Sequence, residues 1–124
     1  MNTTQSMVKI GVAVPCYVGH LDRLFDLLDS IQNQTIHPTR VVVSSSSTPI
    51  SSIDSETYKK YTFELVIHTT EEKRNAAQNR NRSASELSDM DLITFIDADD
   101  VMSPQLIEIL LKVFHLTQYD MAVH

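Results

Sequence analysis

The sequence predicts an α/β fold: a mostly parallel, open sheet with helices on both faces. Three observations predict it. Short β-branched runs alternate with stretches of helical periodicity. Each run is too short for a core helix and is bounded by turn or polar residues. The order strand, helix, strand, linker, strand, helix, strand, helix is that of βαβ units, whose right-handed crossovers cover both sheet faces. Residues 8–14 (Val-Lys-Ile-Gly-Val-Ala-Val) read as the first strand, stopped by Pro15. Leu21, Leu24, Phe25, Leu28 and Ile31 recur at helical spacing, so residues 19–33 are a predicted amphipathic helix. Residues 40–43 are a second strand that opens into the serines 44–47. Residues 48–60 are polar, a loop with a short helix. Residues 63–67 form a third strand and 73–87 a second helix, with Ala76, Ala77, Ala84 and Leu87 on one side. The run 92–96 is a fourth strand, predicted to be buried. Ser103 and Pro104 then supply an N-cap and a first-turn proline. Leu106, Ile107, Leu110, Val113 and Phe114 are the expected buried face of the last helix, and residues 120–123 could begin a fifth strand.

With 124 residues, the chain is read as a single domain with a modest core. A hydrophobic fraction of 42% and a charged fraction of 21% are those of an ordinary globular protein. The formal net charge of −6 argues against a nucleic-acid partner, which calls for a basic face. Cys16 is the only cysteine, so no internal disulfide forms, and it reads as a small apolar filler rather than a nucleophile. No run is long and apolar enough for a membrane span. Residues 1–6 are polar without a signal-peptide pattern, so the expected location is the cytoplasm. Two glycines are too few for a Walker loop or a G-x-G-x-x-G turn.

The chemistry is concentrated after the strands, where ligands bind in open α/β sheets. Asp97, Asp99 and Asp100 follow the fourth strand, and in extended backbone Asp97 and Asp99 point to one side. Clustered carboxylates repel unless a positive partner joins them, and Mg²⁺ or Mn²⁺ is the simplest one. A solvated acidic turn before a helix accounts for the same residues. Arg80 shares a predicted inward stripe with Ala76, Ala84 and Leu87. There it would pair with the Asp97–Asp100 carboxylates, hold a phosphate, or snorkel to the surface. Lys73 and Arg74, near the start of that helix, are anion ligands or ordinary solvated charges. The five histidines show no metal-ligand spacing and read as surface or core residues.

Taken together, these segments resemble the N-terminal, nucleotide-binding half of GT-A-fold glycosyltransferases, family 2 above all. Residues 12–17 (Val-Ala-Val-Pro-Cys-Tyr) look like that family's opening strand, ending in Pro-x-Tyr. Residues 30–34 (Ser-Ile-Gln-Asn-Gln) are similar to the close of its first helix, Arg80-Asn81 to its Arg-Asn pair, and Asp97-Ala98-Asp99 to its D-x-D motif. The resemblance implies a metal-dependent enzyme that transfers a sugar from a UDP- or GDP-sugar donor to a saccharide or other hydroxyl acceptor, with inversion. It implies that Asp97, Asp99 and Asp100 form the Mn²⁺ or Mg²⁺ site. Asp97 would also face the ribose, Arg80 would reach the nucleotide, and Pro15 and Tyr17 would border the nucleoside. Ser44 and Ser45 stand where the family carries base-reading acids, so hydroxyls would meet the base or ribose instead.

The family's acceptor half and catalytic base lie beyond the point equivalent to His124, and neither Glu108 nor Asp120 matches the base motif. The chain is therefore expected to be part of a larger enzyme or a minimal donor-binding domain, with self-association through a surface the missing half would cover. A non-catalytic nucleotide-sugar-binding or interaction module is the alternative. A receiver domain would need acids in place of Pro15-Cys16 and an aspartate in place of His68. In a haloacid-dehalogenase-type phosphatase the D-x-D motif opens the domain.

Overall fold

The computed structural model describes residues 8–54 and 56–123, with side chains described as far as residue 116. The expectations for residues 1–6, and for His124 among the histidines, lie outside the described residues. Four strands, β1 (Ile10–Tyr17), β2 (Arg40–Ser46), β3 (Glu64–Thr69) and β4 (Leu92–Phe95), form one all-parallel sheet of order β3-β2-β1-β4. Helix α1 (Leu21–Gln32) follows β1 after a 3₁₀ turn at Val18–His20. Helix α2 (Ala76–Ser85) leads into β4, and α3 (Leu106–Val123) closes the chain. Two further 3₁₀ turns, Ile50–Ser52 and Thr57–Lys60, occupy the polar linker.

Alternation along β1 builds two cores. Ile10, Val12, Val14 and Cys16 point to one face, where they meet Val41 and Val43 of β2, Leu24, Leu27, Leu28 and Ile31 of α1, and Ile107 of α3. Ala13 points to the other face, with Val42 and Leu87, under α2. The predicted coverage of both faces is therefore observed. Gly11 lies on the α2 side, where a Cβ would stand 2.6 Å from Leu87 Cδ2 and 2.8 Å from Met90 Cγ. Only a hydrogen fits there, and it lets the segment after α2 sit directly on the sheet.

Several expected boundaries move, each for a physical reason. β1 does not stop at Pro15 but runs to Tyr17. Thr39 N donates to Ile10 O, on the β2 side, and Ile96 N donates to Ala13 O, on the β4 side. By alternation Pro15 faces the β4 side, and β4 ends at Phe95 opposite Ala13, so the missing N–H of Pro15 breaks no ladder bond. β2 likewise continues through Ser44, Ser45 and Ser46, all buried, rather than opening at Ser44. β4 is not buried. It pairs only with β1 among the described residues, and Phe95 is 46% exposed. The predicted fifth strand is absent, because residues 120–123 continue α3. In α3 the core contact is made by Ile107, with Leu106, Leu110 and Leu111 partly buried beside it. Val113, expected inside, is 53% exposed. No helix of the described residues is long and apolar enough to cross a membrane.

Candidate functional site

β1 is the point at which the strand order reverses: the chain moves from β1 to β2 and β3 on one side, then crosses to β4 on the other. The crevice expected at such a switch point is present. A cavity of about 440 Å³ opens over the carboxyl ends of β1, β2 and β4. Pro15, Cys16, Tyr17 and His20 form its floor and one wall. Asp97 and Asp99 stand on the β4 side, and Ser46, Ser47, Lys73, Arg74, Ala76 and Asn79 stand on the other.

The acidic side is a turn rather than the extended segment the alternation argument assumed. Asp100 N donates to Asp97 O at 3.0 Å, and the buried Ala98 anchors the turn to the core. The turn gathers all three carboxylates. One oxygen from each of Asp97, Asp99 and Asp100 lies within 4.8 Å of the others, and all three residues are exposed. Convergent, solvent-accessible carboxylate oxygens are a donor set for a hard divalent cation, so these residues fit the expected metal. His20 Nε2 is 3.8 Å from Asp99 Oδ2, and its ring lies against Tyr17 with centroids 4.2 Å apart at 58°. Gly19 makes that pairing possible, since a Cβ there would meet the Tyr17 ring at 2.5 Å. His20 was not read as a site residue, and no spacing pattern in the sequence marks it.

The basic side is set by where α2 begins. Asn75 Oδ1 accepts from Gln78 N at 2.8 Å, while Gln78 Oε1 accepts from Asn75 N at 2.9 Å, a reciprocal capping box. The cap starts the helix at Ala76, not at 73, and leaves Lys73 and Arg74 in the preceding loop, facing the cavity. It also fixes the helix rotation. Asn79 and Ser83 are the buried residues of α2, with Leu87 just beyond its end, so the predicted Ala76–Arg80–Ala84 stripe is off the true inward face by one residue, or about 100°. Arg80 is exposed, with its guanidinium 5.7 Å from the centre of the Phe95 ring, and it does not line the cavity.

Asn79 joins the cavity's elements. Its Nδ2 donates to Cys16 O at 3.0 Å and to Ser46 Oγ at 2.9 Å, and its Oδ1 accepts from Ser44 Oγ at 3.2 Å. Ser44 and Ser45 are thus engaged inside the protein. Thr48 Oγ1 gives its only proton to Ser46 O, so Ser45 Oγ is the donor in the 2.6 Å bond to Thr48. Ser46 and Ser47 reach the cavity instead, Ser47 with a left-handed φ of 51°. Cys16 is buried, as expected of a filler, and burial pushes its thiol pKa up. Glu108 is held elsewhere. Thr35 and Lys112 bond its carboxylate and lower its pKa.

Solved structures with this fold include S. aureus TarS, at TM-score 0.67 and 23% identity, over 83% of this chain and 19% of that one. TarS 1–349 in complex with UDP-GlcNAc gives a TM-score of 0.70 at 20% identity, over 83% and 30% of the two chains. The same fragment in complex with UDP gives 0.64 at 23%, over 83% and 31%. The chain therefore spans between about a fifth and a third of the TarS chains it matches. No curated protein sequence matches it significantly. The family model described as "Glycosyl transferase family 2" matches residues 11–124, which include the sheet, the carboxylate turn and the cavity between them: the chain belongs to glycosyl transferase family 2.

Proposed function

We propose that the cavity binds a nucleoside-diphosphate sugar, with UDP as the nucleotide, and that the protein of which this fold is the donor-binding half transfers the sugar to a hydroxyl acceptor with inversion. The observation that carries this reading is the cavity's polarity: carboxylates on the β4 side and two cations on the opposite side, across the ends of β1 and β2. The UDP and UDP-GlcNAc complexes of the similarly folded TarS support the choice of nucleotide.

Asp97, Asp99 and Asp100 would hold a Mn²⁺ or Mg²⁺ ion. When bound, that ion neutralises charge on the departing diphosphate as a Lewis acid. Lys73 and Arg74 bind the nucleotide's phosphates as fixed positive charges, in the place first expected of Arg80. Tyr17 and His20 present a ring surface to the nucleoside, bordered by Pro15. Ser46 and Ser47, rather than Ser44 and Ser45, supply hydroxyls. Asn79 positions the ends of β1 and β2 through its bonds to Cys16, Ser44 and Ser46.

Calorimetric titration with UDP, GDP and their sugar conjugates, with and without Mn²⁺, tests this. The expected result is Mn²⁺-dependent binding of UDP and a UDP-sugar. Asp99→Ala is expected to weaken that binding at least tenfold, and unchanged affinity in the variant would sink the assignment of the carboxylate turn.

A further inference from the structure

Beyond the donor cavity, a second depression of about 230 Å³ lies at the carboxyl ends of β2 and β3, against α2. Ser44, His68, Thr69, Thr70, Arg74 and Arg82 line it. Two guanidinium groups and no carboxylate form this lining, in a chain whose net charge is −6. The geometry points to a site for a phosphate group here, separate from the donor site and sharing only Arg74 with it.

The hydrogen-bond pattern leaves the pocket with donors to spare. Arg82 Nη2 lies 3.4 Å from His68 Nδ1. A guanidinium only donates, so Nδ1 is the acceptor and the neutral ring carries its proton on Nε2. Nε2 is shielded from solvent and has no hydrogen-bond partner among the described residues, the Glu86 carboxylate being 3.7 Å away. Nε2 is thus turned toward Glu86, and the ring contributes to the depression by holding the Arg82 guanidinium through Nδ1. Thr70 Oγ1 accepts from Glu72 N, which leaves the hydroxyl proton to give. Arg74 makes no hydrogen bond or ion pair among the described residues. Arg82 is held at the rim by Ser85 and Glu86, both at 3.3 Å, so a bound anion must compete with the Glu86 carboxylate.

Such a lining selects a tetrahedral oxyanion. Planar guanidinium forks match phosphate oxygens in pairs, and the threonine hydroxyls supply further donors. Because Arg74 borders both cavities, occupancy of one alters the free energy of filling the other, and the coupling is reciprocal. The site itself does not depend on the donor reading.

The test is a titration of the protein with inorganic phosphate at constant ionic strength, balanced with chloride. Arginine Nε–H and histidine ring resonances are followed by NMR. Saturable shifts at His68, Arg74 and Arg82 are expected. Arg82→Gln should weaken them at least tenfold, whereas Asp99→Asn should leave them unchanged. Linear, unsaturable shifts that chloride reproduces, or equal affinity in the folded Arg82→Gln variant, would overturn the site. If Arg82→Gln fails to fold by circular dichroism, Thr69→Val takes its place with the same expected direction. A parallel titration with glycerol 3-phosphate separates the sources: binding at least as tight as inorganic phosphate assigns the site to a phosphate carried on a larger molecule, and exclusion assigns it to the free anion. Retained Mn²⁺-dependent nucleotide binding in Arg82→Gln keeps the two sites distinguishable.

Discussion

Asn79 is the side chain at which two strand ends and a helix meet. Replacing it with alanine takes away the shared partner of the Cys16 carbonyl and of the Ser44 and Ser46 hydroxyls, all in buried residues. An unsatisfied buried group costs about 1–3 kcal/mol, and some of that is recovered by relaxation, so Asn79→Ala is expected to destabilise the fold by about 3 kcal/mol. Urea unfolding reads this as a lower midpoint at unchanged slope; a loss under about 1 kcal/mol would show that the three groups find other partners. Asn79 also shows what single residues disclose before folding. The cluster of Asp97, Asp99 and Asp100 was legible because its members are neighbours in sequence, although the backbone between them is a turn and not extended. Asn79 was not, since its partner Cys16 is 63 positions away. His20 was hidden for the same reason, its meaning coming from Asp99. Arg80 was placed on the wrong face because a helix turns about 100° per residue, and the rotation is set by a capping box at Asn75 that periodicity alone did not reveal.

At the scale of elements, Gly11 decides how closely the turn after α2 approaches β1. Gly11→Ala forces a methyl against Leu87 and Met90; Leu87 is fully buried and has nowhere to move. Overpacking of this kind costs about 1–3 kcal/mol. The variant is expected to show a lower thermal midpoint with unaltered far-ultraviolet dichroism, and a midpoint equal to the parent's would mean that the two side chains yield freely. All four strands and three helices were legible from apolar runs and periodicity, even though β4 is not buried and α2 buries Asn79 and Ser83 in place of the expected alanine stripe. Their ends were not. β2 gains three serines because Asn79 and Thr48 satisfy them inside, and composition alone reads serines as loop. β4 looks like a central strand by its apolar run yet has only one neighbour among the described residues, and no local signal reports the number of neighbours.

For the whole molecule, the parallel α/β class followed from the alternation of elements, but the order β3-β2-β1-β4 was left to tertiary pairing. That order gives two cores and places Cys16, Tyr58 and Tyr61 in or against the larger one. Burial raises the pKa of all three, and a hydrogen bond to Asp29 raises Tyr61 further. The native state therefore holds these protons more tightly than the unfolded chain. Their contribution is fully present below the unfolded pKa values, about 9 for the thiol and about 10 for the phenols, and is lost as pH rises from there through the raised native values. Urea midpoints measured from pH 8 to pH 11 should fall progressively above about pH 9; a level profile would contradict the burial of these groups. The same sheet has a last consequence, at Pro15. Two parallel strands tend to zip together for as long as each can offer its next amide. Pro15 has none to offer on the side of β4, and the seam between β1 and β4 ends just before it, at Ala13 and Phe95. The opening over which Asp97 and Asp99 stand thus lies where β1 has no amide with which to prolong that seam.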